Sequence, residues 1–227
     1  MNYHATTYLT PPKQPPPSTT PLTPDSYRGP AQMLHPHTRL QHISDVVGYG
    51  IFATEAIPAG TIVYVKDSLE ISVTPEQFLA HGPEMQAVID KYSYIDEHGD
   101  RVVSWDLAKY VNHCCQCNTI STGYGFEMAL RDIAPGEQLT DEYGIFNLDI
   151  EMELVCDQPG CRKKIGPRDF DRYYKEWDAK IEPVLPKLFA VQQPLGSLLT
   201  AETKRELEAF RNDRGKYKSV YALKLKD

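Results

Sequence analysis

The sequence predicts a mainly β (α+β) fold of short strands with a helical C-terminal extension, and three observations lead to it. Short segments rich in β-branched and aromatic residues alternate with Pro/Gly turns between residues 48 and 143. Ala, Ile and Gly recur there at offsets of four and seven residues: Ala53, Ile57 and Gly60, then Ala129, Ile133 and Gly136. Beyond residue 167 the apolar residues recur at helical spacing instead.

The composition limits the class of protein. The chain has 227 residues, 41% of them hydrophobic and 24% charged, which are ordinary proportions for a globular protein. Its net charge of -7 argues against holding nucleic acid through a general basic surface. No apolar run approaches the ~18 residues of a membrane span, and the N-terminus lacks the features of a signal peptide. We therefore expect an intracellular protein, cytoplasmic or nuclear, that binds neither membrane nor nucleic acid directly; its oligomeric state is not predicted.

The first half of the chain divides into a tail and several short elements. Residues 1–37 hold nine of the 18 prolines and few apolar anchors, so we expect a disordered or extended tail. The alternative for this tail is a proline-rich docking peptide at residues 11–17. Residues 50–65 are typical of two strands joined by a turn. Residues 75–91 are typical of a helix that Gly82-Pro83 divides in two.

The remaining elements follow in the same way. Residues 92–104 favour a β-hairpin and residues 105–111 a short helix. Two or three helices are expected after residue 167, with four aromatic residues on the first: Phe170, Tyr173, Tyr174 and Trp177. These aromatics are expected in the core, or alternatively as a cover over a substrate channel. The basic end, residues 211–227, is expected to fray.

Three motifs carry the chemistry. Residues 112–118 read Asn-His-Cys-Cys-Gln-Cys-Asn, and residues 136–144 begin with the glycine of a Pro-Gly turn and end in Tyr-Gly. Residues 48–53 read Gly-Tyr-Gly-Ile-Phe-Ala. All five cysteines lie between residues 114 and 161, and in a reducing compartment such clustering favours a metal site over disulfides.

Over about half of the chain, these motifs resemble those of the SET-domain protein-lysine methyltransferases in order and spacing. Residues 48–53 look like the family's opening Gly-x-Gly strand, and residues 112–118 like its Asn-His signature. Residues 126–143 resemble its strand, Arg-Asp-Ile segment, Pro-Gly turn and terminal tyrosine. Residues 155–162 resemble the zinc-binding tail that follows the domain.

The resemblance implies a β-clip (pseudoknot) fold in which the Asn-His segment lies beside the chain that ends at Tyr143. It also implies four parts: a Pro-rich tail at 1–37, a SET domain at 38–150, a post-SET-like zinc segment at 151–167 and a helical extension at 168–227. S-adenosylmethionine would bind on one face of this fold. A substrate lysine would enter from the other face.

The function that the resemblance implies is methyl transfer from S-adenosylmethionine to a lysine side chain of a protein, histone or non-histone, with a basic tail favoured. Tyr143 stands at the catalytic position, where its hydroxyl would orient and desolvate the amine. The positions matching the family's cofactor-binding residues are Gly48, Tyr49, Gly50, Asn112 and His113. The alternative function is a SET-fold module that binds proteins without catalysis.

The cysteines match the family's zinc tail only in part. Cys115, Cys156 and Cys161 fall at ligand positions, and Leu154 stands where a fourth cysteine is expected. Either Cys117 or Cys114 would then complete a structural tetrahedral zinc site, and the predicted set takes Cys117. The alternative is five reduced thiols that only pack in the interior.

Asp141 is a second departure from the family pattern. It lies two residues before Tyr143, where the family usually has Tyr or Phe at a position that helps to set the number of methyl groups added. A carboxylate there would either pair with the incoming lysine ammonium or turn away and bond the backbone. The sequence therefore does not predict the number of methyl groups.

Overall fold

A computed structural model describes residues 33–156 and 158–226, and within them short strands predominate over helices. The strands are β1 (Thr38–Ser44), β2 (Gly48–Ala53), β3 (Ile62–Val65), β4 (Ile71–Val73), β5 (Ser93–Ile95), β6 (Arg101–Val103), β7 (Asn112–His113), β8 (Thr119–Ser121), β9 (Phe126–Ala129), β10 (Thr140–Asp141), β11 (Met152–Glu153) and β12 (Lys164–Ile165). The α-helices are α1 (Pro75–Ala80), α2 (Pro83–Tyr92), α3 (Asp169–Ile181) and α4 (Ala201–Asn212). The predicted fold class is confirmed.

The strands form several small sheets rather than one large sheet. Two have three strands, in the orders β3-β9-β8 and β4-β6-β5. The other pairs are β1-β2, β11-β12 and the parallel pair β10-β7. The two strands predicted within residues 50–65 exist, but they are not neighbours, because β2 pairs with β1 and β3 pairs with β9.

The repeated Ala, Ile and Gly pattern has a structural meaning. Ile57 and Ile133 bond each other through both backbone groups, each N–H donating to the other's carbonyl at 2.9 Å. The remaining members also pair across the two copies, with Gly60 N bonding Ala129 O and Gly136 N bonding Ala53 O, both at 2.8 Å. Both glycines have φ above +80°, a conformation that strongly favours glycine. The two copies therefore form one reciprocal backbone clasp, and its two isoleucine side chains are buried in the core.

The small lobe is residues 71–103, which form β4, α1, α2, β5 and β6. Its two helices and its hairpin lie where the sequence predicts them. Thr74 caps α1 through a reciprocal arrangement with Gln77, and Pro83 begins α2 after Gly82. The hairpin predicted over 92–104 is the β5-β6 pair. Strand β4, which lengthens this sheet on its other side, was not predicted.

The boundary of the predicted N-terminal tail is wrong by several residues. Met33, Leu34 and His35 are buried, and Leu34 bridges to Tyr64 of β3. The carboxylate of Asp106 accepts the backbone N–H groups of Met33 and Leu34, at 3.0 and 3.1 Å. The rest of that tail, residues 1–32, with the alternative docking peptide, lies outside the described residues.

The C-terminal end is packed against the core, which corrects the expectation that residues 211–227 fray. Asp178 of α3 accepts hydrogen bonds from the Tyr217 hydroxyl at 2.7 Å and from Val220 N at 2.9 Å. Val220 is fully buried. The Asn147 side chain then joins the carbonyl of Ile95 in β5 to that of Leu223, and so ties this segment to the small lobe.

The predicted core role of the α3 aromatics is confirmed for Phe170 and Trp177, which are both buried. Trp177 lies against Gly144, and α3 packs on the short 3-10 turn Tyr143–Ile145. Helix α3 therefore supports the segment that carries Tyr143. Among the described residues, none of the helices is both long and apolar enough to cross a membrane.

Candidate active site and cysteine cluster

The Asn-His motif and the strand before Tyr143 lie side by side. Strands β7 and β10 pair in parallel, with Asn112 opposite Thr140 and His113 opposite Asp141. The pairing continues as Cys114 N donates to Asp141 O at 3.1 Å. Segments almost 30 residues apart in sequence thus meet in space, as the resemblance implied.

Tyr143 is held by two hydrogen bonds. Its backbone N–H donates to His113 Nδ1 at 3.1 Å, and its hydroxyl donates to the carbonyl of Val111 at 2.6 Å. Burial, followed by the nearby carboxyls of Asp141 and Glu127, raises the pKa of the Tyr143 hydroxyl above its ordinary value. The phenol is therefore protonated, and its oxygen keeps lone pairs free to accept hydrogen bonds.

The His113 ring is fully engaged within the protein. Since Nδ1 accepts from Tyr143, the ring proton lies on Nε2, which is 3.4 Å from Cys115 Sγ. Burial, and then the charge of Arg162, lower the pKa of His113 to about 4. The neutral ring joins Tyr143 to the cysteine cluster, so any contact of His113 with a cofactor falls to its backbone.

The Gly-x-Gly segment lies beside Asn112. The Asn112 side chain donates to the carbonyl of Tyr49 at 2.8 Å. Gly48 has φ +80°, and a Cβ there would have open space around it. Gly50 is different, because a Cβ would come within 2.6 Å of Gln138 Nε2 and 3.0 Å of Asn112 Nδ2. Gly48 therefore leaves room for a ligand, whereas Gly50 lets the protein pack against itself.

A cavity of about 280 Å³ opens on the Tyr143 side of these motifs. It is lined by Val111, Tyr143 and two acidic residues, Asp141 and Glu127. Four further aromatic rings line it: Tyr64, Tyr92, Tyr94 and Phe146. Aromatic rings with carboxyls form a surface suited to an organic cation or an amine.

Asp141 is almost completely buried, at 1% exposure, yet it lines the cavity. One of its oxygens accepts Glu142 N at 2.7 Å, and the other is 3.5 Å from Ser121 Oγ. Burial raises the pKa of Asp141 to about 7. The backbone bond expected as one alternative for this carboxyl is present. Asp141 also lines the cavity, and its pairing with a lysine ammonium stays a prediction.

Four cysteines form a cluster next to this site. Cys115 Sγ and Cys161 Sγ are 3.8 Å apart, and Cys156 interacts with both Cys161 and Cys114. Each sulfur also accepts a backbone N–H, from Gln116 to Cys114 (3.4 Å), from Arg162 to Cys115 (3.4 Å), from Gln158 to Cys156 and from Lys163 to Cys161 (3.3 Å). Such bonds stabilise sulfur in its thiolate form.

Cys117 does not join this cluster in the way that the predicted ligand set required. Its side chain is buried, and burial, with Asp141 and Glu142 nearby, raises its pKa well above the ordinary value. Cys114 interacts with Cys156, whereas the Cys117 side chain lies in the interior. Over 33–156 and 158–226, no group of three or more His, Cys, Asp or Glu side chains has the arrangement of a formed metal site.

Three residues of the site were missed by sequence reasoning. Arg162 pairs with the buried Glu142 and with Asp169, and lies over the Tyr173 ring at 4.8 Å. Val111 supplies the carbonyl that holds Tyr143. Glu127 had a visible signal, because it is a carboxylate within the otherwise apolar run Phe126–Ala129. Glu142 has a further role, because its carboxylate accepts Gly144 N at 2.9 Å.

Comparison with known proteins points to one family. A family model described as SET domain matches residues 48–144. The histone-lysine N-methyltransferase set1 of Dictyostelium discoideum is 27% identical over 137 residues, which cover 54% of this chain and 9% of that protein. The putative histone-lysine N-methyltransferase ASHH4 of Arabidopsis thaliana is 26% identical over 152 residues, which cover 62% and 43%.

A further relative in Arabidopsis thaliana, histone-lysine N-methyltransferase ASHH3, is 27% identical over 130 residues, covering 52% of this chain and 36% of that protein. The chain thus spans less than half the length of each of these relatives. The matched part contains the Gly-x-Gly segment, the Asn-His motif and Tyr143.

Proposed function

Since this chain is a member of the SET-domain family of protein-lysine methyltransferases, we propose that it transfers methyl groups from S-adenosylmethionine to a lysine side chain of a protein. The observation that carries the proposal is the position of the Tyr143 hydroxyl. It lines a cavity and donates to Val111 O, the residue next to Asn112. One hydroxyl therefore connects the substrate cavity with the motif that would hold the cofactor.

When bound, S-adenosylmethionine supplies a methyl group on a positively charged sulfur. Gly48, Tyr49, Asn112 and the backbone of His113 are the residues that would hold it. Gly48 fits this role because the space beside it is open, and Tyr49 because its side chain is 48% exposed. Asn112 keeps its side-chain carbonyl oxygen as an acceptor while its amide bonds Tyr49.

The residues of the cavity then position the amine. Because the Tyr143 hydroxyl donates to Val111, its oxygen lone pairs remain to accept an N–H of a lysine side chain. The surrounding rings exclude water from a neutral amine, and the rigid β7-β10 pair fixes the approach. Orientation and dehydration of this kind supply much of the rate enhancement of a displacement reaction.

We also propose that Cys114, Cys115, Cys156 and Cys161 hold a structural zinc ion. Two thiolates on a tetrahedral zinc lie about 3.8 Å apart when each Zn–S distance is about 2.3 Å, and the Cys115–Cys161 separation agrees with this spacing. The four backbone N–H···S bonds also fit thiolates. Bound metal would secure residues 151–167 against His113 and, through it, Tyr143.

The relatives are named for histone lysine, so histones are the first substrates to test, and a histone substrate would place the reaction in the nucleus. The experiment is incubation of the protein with methyl-labelled S-adenosylmethionine and either core histones or a cell extract. Peptide mapping then identifies the marked side chains. Label on lysine supports the proposal. Cofactor binding with no label on any protein would instead favour the non-catalytic binding module.

A further inference from the structure

Glu127 is a half-buried residue whose carboxyl has no part in the proposed mechanism. It lies on β9 between Phe126 and Met128, whose side chains are both buried. Glu127 lines the cavity of about 280 Å³ together with Asp141, and it also lines a second cavity of about 120 Å³. Glu127 thus lies between two cavities and contributes to the wall of both.

Glu127 has a hydrogen-bonding partner in Asp141, and no cation is among the groups that act most strongly on it. The charged groups that act most strongly on Glu127 are themselves carboxyls: Asp141, Asp106 and Glu70. Burial first, and then Asp141, raise the pKa of Glu127 well above its ordinary value. Two carboxyls that are hydrogen-bonded to each other without a cation favour the protonated form of one of them, and here that one is Glu127.

The cations on the same cavity wall have partners of their own. Arg101 pairs with Asp90 at 2.8 Å and Asp149 at 2.6 Å. Lys109 donates to Ser104 O at 3.4 Å and lies over the Tyr110 ring, and Lys91 lies over the Tyr92 ring. Asp141 is already engaged by Glu142 N, Ser121 Oγ and Glu127. Glu127 is therefore the carboxyl that keeps acceptor capacity for a group that enters the cavity.

The geometry points to a role in counting methyl groups: we propose that the Glu127 carboxyl, beside Asp141, accepts the N–H of the substrate amine that Tyr143 does not accept, so that the site takes an unmethylated lysine and stops after one methyl group. This inference rests on the proposed function. It assigns to Glu127 a specificity role that adds to the orienting role of Tyr143.

The chemistry of the amine explains why two acceptors would limit the reaction. A neutral primary amine has two N–H groups and one lone pair, so two acceptors hold both hydrogens and leave the lone pair free. That pair forms the new N–C bond, the sulfonium sulfur keeps the electrons of the broken S–C bond, and the product ammonium loses one proton to solvent. A monomethylated amine has a single N–H, and its methyl group would face a carboxyl that needs a donor.

The test compares wild type with Glu127→Met, which keeps the side-chain length and removes the acceptor. Glu176→Gln is the matched control, because Glu176 is exposed on α3 and does not line the cavity. Core histones and the same histones carrying monomethyl-lysine are the substrates, and mass spectrometry counts the methyl groups. Unfolding midpoints establish that each variant is folded.

Wild type and Glu176→Gln are expected to give monomethyl-lysine. Glu127→Met is expected to raise the rate of the second transfer relative to the first by at least ~10-fold, with Glu127→Gln between the two. Dimethyl- or trimethyl-lysine as the main wild-type product would overturn the inference, as would an unchanged ratio in Glu127→Met.

A binding measurement separates this inference from the proposed function. Calorimetry with n-butylammonium and with butyltrimethylammonium needs no methyl transfer. Wild type is expected to bind the primary ammonium more tightly, and Glu127→Met to lose that preference. If the proteins methylate nothing but this preference is present and depends on Glu127, the proposed function fails while the amine-accepting role stands. If methyl transfer occurs and the preference is the same in Glu127→Met, the role of Glu127 is wrong.

Discussion

The hydroxyl of Tyr143 donates a hydrogen bond to the backbone carbonyl of Val111 at 2.6 Å. A carbonyl accepts but cannot donate, so this bond fixes the direction of the phenolic hydrogen and leaves the oxygen as an acceptor. The same tyrosine is held at its backbone by neutral His113. Position and hydrogen-bond direction of the phenol are therefore both set before any substrate enters.

The contact between Gly144 and Trp177 predicts that the turn after Tyr143 tolerates no side chain. A Cβ at position 144 would lie 2.9 Å from the Trp177 ring, which is itself buried. We expect Gly144→Ala to lower the free energy of unfolding by about 1–3 kcal/mol. Denaturant titration measures this change. Gly82→Ala is the control, since a Cβ there meets its nearest atom at 3.7 Å, and an equal loss in both variants would contradict the account.

The proposed zinc site predicts a difference between two neighbouring cysteines. We expect the purified protein to contain about one zinc per chain, and Cys114→Ser to lose most of it because Cys114 contacts Cys156. Cys117→Ser is expected to retain the metal, because Cys117 is directed to the interior. Elemental analysis decides the matter. Loss of zinc in Cys117→Ser but not in Cys114→Ser would restore the ligand set predicted from sequence.

Asp141 predicts a pH dependence of stability with a definite sign. Its pKa is raised from 3.8 to about 7 in the folded protein, so below pH 4 the group is protonated in both folded and unfolded states. As pH rises through 7 it must ionise in the interior, and stability is lost. We therefore expect Asp141→Asn to match wild type near pH 4 and to exceed it at pH 8, by on the order of a few kcal/mol.

Unfolding curves at the two pH values measure the effect of that substitution. Asp171→Asn serves as the control, because a hydrogen bond from Lys224 lowers the pKa of the exposed Asp171 and its removal should bring no gain at pH 8. A stability difference for Asp141→Asn that is the same at both pH values would show that this carboxyl does not titrate as described.

Asp178 predicts how the C-terminal segment is retained. It accepts the Tyr217 hydroxyl, the Ser219 hydroxyl and Val220 N, so Asp178→Ala leaves three donors without their acceptor. We expect a loss of about 3 kcal/mol in unfolding free energy and faster proteolytic cleavage within residues 213–226. Glu176→Ala, on the same helix, should cleave at the wild-type rate. Equal protection of all three proteins would rule out this anchoring role.

Local chemistry made much of the fold predictable, and distant contacts account for the rest. The Pro/Gly turns, the break at Gly82-Pro83 and the hairpin over 92–104 are encoded within a few residues of where they occur. The Ala, Ile and Gly repeat was visible as spacing, but its meaning as a reciprocal clasp between Ile57 and Ile133 required the two copies to meet. Strand β4 and the packed C-terminal segment depend on partners far away in sequence, so no local sequence pattern predicts them.

The features of the site also divide into those that the sequence predicted and those that depend on the folded structure. The proximity of Tyr143 to Asn112 and His113 followed from the order of the motifs, because that order is shared with a known family. Cys114 lies near Cys156 whereas Cys117 is buried. This difference depends on the local backbone conformation, and spacing alone does not contain that information. The sequence does not predict a role for Glu127, because a single carboxyl in a strand is usually at the surface. In the structure it lines a cavity beside Asp141.

The measurement that tests the central claim most directly is the methyl-transfer rate of Tyr143→Phe against that of wild type, on the substrate found by labelling. Removing the hydroxyl takes away the acceptor beside Val111 while leaving the ring, so we expect the rate to fall by at least ~100-fold with cofactor binding retained. Tyr174→Phe, in which a partly buried tyrosine of α3 loses its hydroxyl, should transfer methyl groups at the wild-type rate. A Tyr143→Phe protein that is folded and as active as wild type would contradict the proposed mechanism.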